Sequence, residues 1–116
     1  MTVATQIEYS HTFRDQLYSR FAYLAREIGE QASQKLLTDF LDTFETRISK
    51  HPKSSPLCTE AADIGLMTYH DDIDPKRQFR IIYRTSYTDE TLYCLLFRNT
   101  RQSICEALIQ YCLQKT

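Results

Sequence analysis

Two neighbouring segments constrain this chain most: Gln78-Phe-Arg-Ile-Ile-Tyr-Arg84 and, after a short polar gap, Thr91-Leu-Tyr-Cys-Leu-Leu-Phe-Arg-Asn-Thr-Arg101. Successive side chains of a strand point to opposite faces, so Phe79, Ile81 and Tyr83 fall on one side and Arg80, Ile82 and Arg84 on the other. The gap from Thr85 to Glu90 holds Ser86, Thr88 and Asp89, residues with local turn chemistry, and the pair reads as an antiparallel hairpin. Its second strand is apolar almost throughout until Arg98, as expected of a central strand covered on both faces. Arg80 and Arg84 share a face. Burying unpaired guanidinium groups is costly, so they must meet solvent, a carboxylate or a ligand. Tyr83, in line with Phe79 and Ile81, belongs to the core.

The segments before the hairpin follow a different period. Between Thr12 and Ile28 the apolar residues Phe13, Leu17, Phe21, Leu24 and Ile28 recur every three or four positions, and Ala32, Leu36, Leu37, Phe40, Leu41, Phe44 and Ile48 do so from Glu30 to Lys50. This is the pattern of amphipathic helices. Gly29 separates them, which predicts an α-hairpin that ends before His51-Pro52. Val3 to Tyr9 predicts a short strand, with Ser10 and Thr12 as helix-capping hydroxyls. Residues 51–60 predict a loop, Ala61 to Tyr69 a weaker strand, and His70 to Lys76 a charged turn with a bend at Asp74-Pro75. After Arg101, Ser103 caps a predicted final helix with Ile104, Ala107, Leu108, Tyr111 and Cys112 on one face. The expected order is β, α, α, β, β, β, α, a single α+β domain over residues 1–116 with helices on one face of an antiparallel sheet and the other face partly open.

Composition excludes several functions. Two glycines in 116 residues leave no phosphate-binding glycine loop. Four cysteines (Cys58, Cys94, Cys105 and Cys112) form no CxxC pair, and no histidine pair has metal-ligand spacing, so neither metal nor cofactor is expected. Cys105 and Cys112 lie about 10 Å apart along the predicted helix, too far for a disulfide. His11, His51 and His70 read as surface residues. No apolar run approaches the length of a membrane span, and a cytoplasmic protein that does not contact membranes is expected. Residues 1–75 carry seven Lys or Arg against twelve Asp or Glu, whereas residues 76–101 carry six against two. That asymmetry suggests a local anion-facing patch on an acidic chain and argues against non-specific coating of nucleic acid.

This order of elements resembles the RelE/ParE superfamily of toxins from bacterial type II toxin–antitoxin systems. The likeness rests on Ile7-Glu-Tyr-Ser10 with Phe13 and Leu17, on Phe79-Arg-Ile-Ile-Tyr-Arg84, and on Phe97-Arg-Asn-Thr-Arg101, and it spans nearly the whole chain. It implies a compact toxin, linked to growth inhibition and plasmid stabilization, that a cognate antitoxin binds and silences. RelE-like members cleave mRNA in the ribosome by 2′-hydroxyl attack on the adjacent phosphate; ParE-like members poison DNA gyrase. By resemblance, Arg80 matches the strand arginine that contacts the scissile phosphate. Arg101 matches, to within one residue, a second arginine at the end of the last strand. Arg77, Arg84 and Arg98 are further candidate binding residues. A guanidinium at a pentacoordinate phosphorus would be worth on the order of 2.7–4 kcal/mol. The RelE lysines should fall in Gly65 to His70, where this chain has none, and the terminal tyrosine or histidine is unmatched; only His70 or Tyr69 could substitute. The expectation is therefore a toxin acting on gyrase, with ribosome-dependent mRNA cleavage as the alternative and an inactive antitoxin-binding relative as the third reading.

Overall fold

A computed structural model describes residues 5–86 and 90–99. Over this range the elements run β1 (Gln6–Tyr9), α1 (His11–Ile28), α2 (Glu30–Lys50), α3 (Thr59–Asp63), β2 (His70–Asp74), β3 (Phe79–Thr85) and β4 (Thr91–Asn99). The strands form one sheet in the order β1-β4-β3-β2. β1 runs parallel to β4, while β2, β3 and β4 are antiparallel neighbours. The α+β class, the α-hairpin and the arginine-bearing strand pair agree with the sequence reading. The predicted C-terminal helix, with Arg101, Cys105 and Cys112, lies outside the described residues.

Local chemistry explains the helical hairpin. Ser10 accepts a hydrogen bond from the Phe13 amide at 2.9 Å, closing the N-terminus of α1. Gly29 takes φ 92°, a value that a side chain would resist, and connects two helices with no further linker. The buried Ser33 hydroxyl donates to the Phe21 carbonyl at 3.0 Å and ties the two helices together.

The helices pack on one face of the sheet. Phe13, Leu37, Phe40, Phe44 and Ile48 meet Phe79, Ile81, Tyr83, Leu92, Cys94 and Phe97 in one apolar cluster. Edge-on ring pairs join the layers: Phe40 to Phe79 at 5.0 Å and Phe44 to Tyr83 at 6.0 Å between centroids. On the opposite face Ile82, Leu95 and Leu96 pack against Cys58 and Ala61, with Leu66, Tyr69 and Tyr93 around them. β4 serves both clusters through an irregularity in its pairing: Ile82 faces Leu96 and Tyr83 faces Cys94, leaving Leu95 as an extra residue. The two leucines consequently share a face although they are adjacent.

Three expectations are corrected. Ala61 to Tyr69 is not a strand: α3 begins at Thr59, and Gly65 at φ 90° follows it. His70 to Asp74 is a strand and not part of the turn, because Asp71 and Asp72 are neutralised by arginines from β3 and α2. The turn is confined to residues 75–78, with the Gln78 amide donating to the Asp74 carbonyl at 2.8 Å. Finally, the sheet face away from the helices is covered at its centre by α3 and residues 58–69, so it is less open than expected.

Candidate functional site

The candidate site grows from the alternation of β3. Arg80 points away from the helices, and its residue is only 8% exposed. Its guanidinium engages Asp71 of the neighbouring strand in a fork, with Nε donating to Oδ1 at 3.2 Å and Nη2 donating to Oδ2. Nη2 also donates to Oε2 of Glu60 on α3 at 2.9 Å. Two carboxylates therefore surround one guanidinium. Burial alone would lower the Arg80 pKa, but Asp71 and then Glu60 outweigh it and the net shift is upward. Cys58 completes the group: donor atoms of Cys58, Glu60 and Asp71 all lie within 4.8 Å of one another. Burial raises the thiol pKa. Three metal-ligating residue types thus converge here, but their carboxylates already bind a resident cation, Arg80.

Sequence reasoning missed Glu60, Asp71 and Cys58. Their spacing matches no metal or catalytic motif, and only the pairing of β2 with β3 and the placement of α3 bring them to Arg80.

The other candidate arginines among the described residues are separated. Arg77 is bound locally, with Nη1 donating to Asp74 Oδ2 at 2.8 Å. Arg84 stacks on the Tyr93 ring at 4.6 Å. Arg98 pairs across the strands with Arg80 and is half-buried. Its side chain lines a cleft of about 500 Å³ between α1 and the end of β4, together with Arg20, Tyr23 and Asn99. Arg80 is thus the buried, carboxylate-bound member of the set, and Arg84 is bound by a ring.

His70 departs from the surface reading. It is half-buried, stacked on the Tyr83 ring at 5.0 Å and 12°, with Nδ1 2.8 Å from the Ser55 carbonyl. A carbonyl only accepts, so Nδ1 carries the proton. His11 fits the surface expectation, exposed beside Asp15 at 3.3 Å. Tyr83 is fully buried, as expected. Burial raises its hydroxyl pKa, with Ser55 opposing the shift. A second ion pair anchors β2 to α2, where Asp72 Oδ2 accepts from Arg47 Nη2 at 2.6 Å and from the Ser55 hydroxyl at 2.9 Å.

Among the described residues no helix is long and apolar enough to cross a membrane. No protein-family model and no curated protein matches the sequence. Solved structures do resemble the fold. A chain of the chromosomal ParDE toxin–antitoxin system from P. aeruginosa aligns with a TM-score of 0.67 at 8% identity, covering 84% of this chain and 98% of that one. A chain of the toxin–antitoxin complex RelBE2 from Mycobacterium tuberculosis aligns with a TM-score of 0.59 at 15% identity, covering 84% and 99%. The isolated E. coli RelE toxin aligns with a TM-score of 0.50 at 9% identity, covering 95% and 99%. The likeness is one of fold.

Proposed function

We propose that this chain, whose fold is that of the RelE/ParE superfamily toxins, is the toxin of a type II toxin–antitoxin pair, a single cytoplasmic domain that arrests growth by binding its target. A cognate antitoxin silences it, and DNA gyrase is the target. The observation that carries the choice between targets is the state of Arg80. Resemblance gives this residue the scissile phosphate, yet both Asp71 and Glu60 bind its guanidinium. A phosphodiester would have to displace a carboxylate from a cluster that already has net negative charge. Of the two residues that could replace the missing base, His70 and Tyr69, the histidine is stacked on Tyr83 and donates through Nδ1 to the Ser55 carbonyl, which leaves only its Nε2 to take a proton. A formal net charge of −1 also suits protein binding better than docking into ribosomal RNA.

The competing reading, ribosome-dependent mRNA cleavage, requires Arg80 to leave its carboxylates and Arg101 to join it. Expression of the chain alone in a bacterial host decides between them. Under the gyrase reading, growth arrests with relaxed plasmid or gyrase-linked DNA breaks, while RNA 5′ ends are unchanged. Codon-positioned RNA cuts that disappear in Arg80→Ala would establish the nuclease instead. Unimpaired growth with folded protein would leave an antitoxin-binding relative without toxicity.

A further inference from the structure

One carboxylate is enough to balance Arg80, and the fork on Asp71 is the geometry in which a guanidinium and a carboxylate pair best. Glu60 is the surplus charge. Exposure distinguishes the two partners: the Asp71 side chain is 11% exposed and the Arg80 side chain 9%, but that of Glu60 is 42%. Glu60 therefore lies on the solvent side of the cluster, where its carboxylate accepts from Nη2, the nitrogen that also donates to Asp71. An anion approaching Arg80 meets a carboxylate first, and the three groups together carry one net negative charge.

The surroundings indicate which anion is being turned away. Arg84 lies on the same face of β3, about 13 Å along the strand at roughly 3.3 Å per residue. It rests on the Tyr93 ring, a cation-and-ring platform that places a second guanidinium on this face, as a groove that tracks a nucleic-acid backbone requires. Without Glu60, the face would present Arg80 in a neutral pair with Asp71, an outward Nη2 donor, and this platform.

We infer that Glu60 is a specificity-determining residue that closes Arg80 against nucleic-acid phosphates. The inference rests on the reading of the chain as a target-binding toxin that does not cleave RNA, and supplies the cause of that restriction. Glu60 takes the place of a phosphate oxygen on Nη2, and its charge, more than its hydrogen bond, excludes the ligand.

The competing role for Glu60 is a mechanical tether that holds α3 to the sheet. Glu60→Gln separates the two, because glutamine keeps an acceptor for Nη2 and removes the charge. The probe is a fluorescein-labelled single-stranded oligouridylate, titrated by anisotropy against the purified full chain over a salt series. Glu60→Gln and Glu60→Ala are both expected to bind about tenfold more tightly than the unaltered chain, with a salt slope steeper by about 0.7, the value for one added phosphate contact on a single strand. Adding Arg80→Gln should abolish the gain. Glu27→Ala, which makes the same charge change on the exposed end of α1, should stay within about twofold of the unaltered chain. No gain in Glu60→Gln, or a gain that persists without Arg80, overturns the inference. Should Glu60→Ala fail to fold, Glu60→Gln alone decides. The proposed target is tested in cells by RNA ends and plasmid topology, so its failure and the failure of this inference are read from different experiments.

Discussion

The two faces of β3 are filled by different physics. Toward the helices, Phe79, Ile81 and Tyr83 enter an aromatic and aliphatic layer held mainly by apolar area removed from water. Away from them, Arg80 holds Asp71 and Glu60, and Ile82 packs beneath α3. The first face is stabilised by contacts that are individually replaceable and roughly proportional to area. The second is conditional, since each charge there is tolerable only while its partners are present. This difference gives the faces different responses to substitution, and it separates the part of the molecule that builds the fold from the part that sets what the fold can recognise.

The largest expected effect breaks the helix face. Phe44 is 1% exposed and packs edge-on to Tyr83. Phe44→Ala should cost about 3–5 kcal/mol, read as a lowered urea midpoint at unchanged slope. A cost below about 1 kcal/mol would mean that this layer is not the close-packed core described above.

The charged face should answer differently to one change and to two. Asp71→Ala leaves a buried guanidinium with Glu60 alone and should cost about 2–3 kcal/mol, somewhat less than a buried pair stripped of its sole partner. Combining Asp71→Leu with Arg80→Met removes both charges from that pair. The double variant should lie within about 1 kcal/mol of the unaltered chain, because well-packed apolar residues often replace a buried ion pair without loss. If the double variant is as unstable as Asp71→Ala, the cluster contributes through geometry that apolar side chains cannot reproduce, and the contrast between the faces narrows.

The same contrast explains what was legible in the sequence. The helices were readable because their burial is periodic and local: Phe13, Leu17, Phe21 and Leu24 need no knowledge of their partners to be recognised as one stripe. The cap at Ser10 and the break at Gly29 were readable because capping and positive φ depend on residue type. β2 was not. Its His-Asp-Asp-Ile-Asp has a composition that disfavours strands, and it becomes one because Arg80 and Arg47, distant in sequence, neutralise Asp71 and Asp72. The extra residue at Leu95 was hidden for the opposite reason, since the run Leu92 to Phe97 offers no alternation to interrupt. Arg80 itself could be identified as a candidate, and the requirement for a carboxylate, solvent or ligand beside it followed from burial cost. Which carboxylates would serve was a property of tertiary pairing.

Ser10 joins the two kinds of order, since its hydroxyl oxygen caps α1 and its proton goes to the Leu95 carbonyl at 2.7 Å, at the irregularity of β4. Ser10→Ala removes both bonds and should cost about 1–2 kcal/mol. Ser10→Thr keeps the hydroxyl and should recover most of it, as followed by thermal unfolding. Equal losses in the two variants would show that sterics at the strand–helix junction matter more than the cap.

The smallest effect concerns the turn between β2 and β3 and depends on pH. Asp74 accepts from the Lys76 and Arg77 amides at 3.0 and 3.1 Å and from the Arg77 guanidinium at 2.8 Å. Burial pulls its pKa upward, but the Arg77 side chain, the two amides and the Arg77 charge together outweigh it, leaving the folded value below the ordinary one. A depressed folded pKa means that the native state favours the ionised form. The resulting stability is complete above the unfolded pKa and is lost as pH falls through the folded one. Asp74→Asn retains an oxygen for the amides and removes the charge that Arg77 sees. Its cost should be about 0.5–1 kcal/mol near neutrality, steady down to about pH 5, and should fade toward zero in more acidic solution as the native carboxylate protonates. A cost that does not fade would assign the effect to turn geometry. In that case the charge-dependent stability of the β2–β3 pair would not extend into its turn.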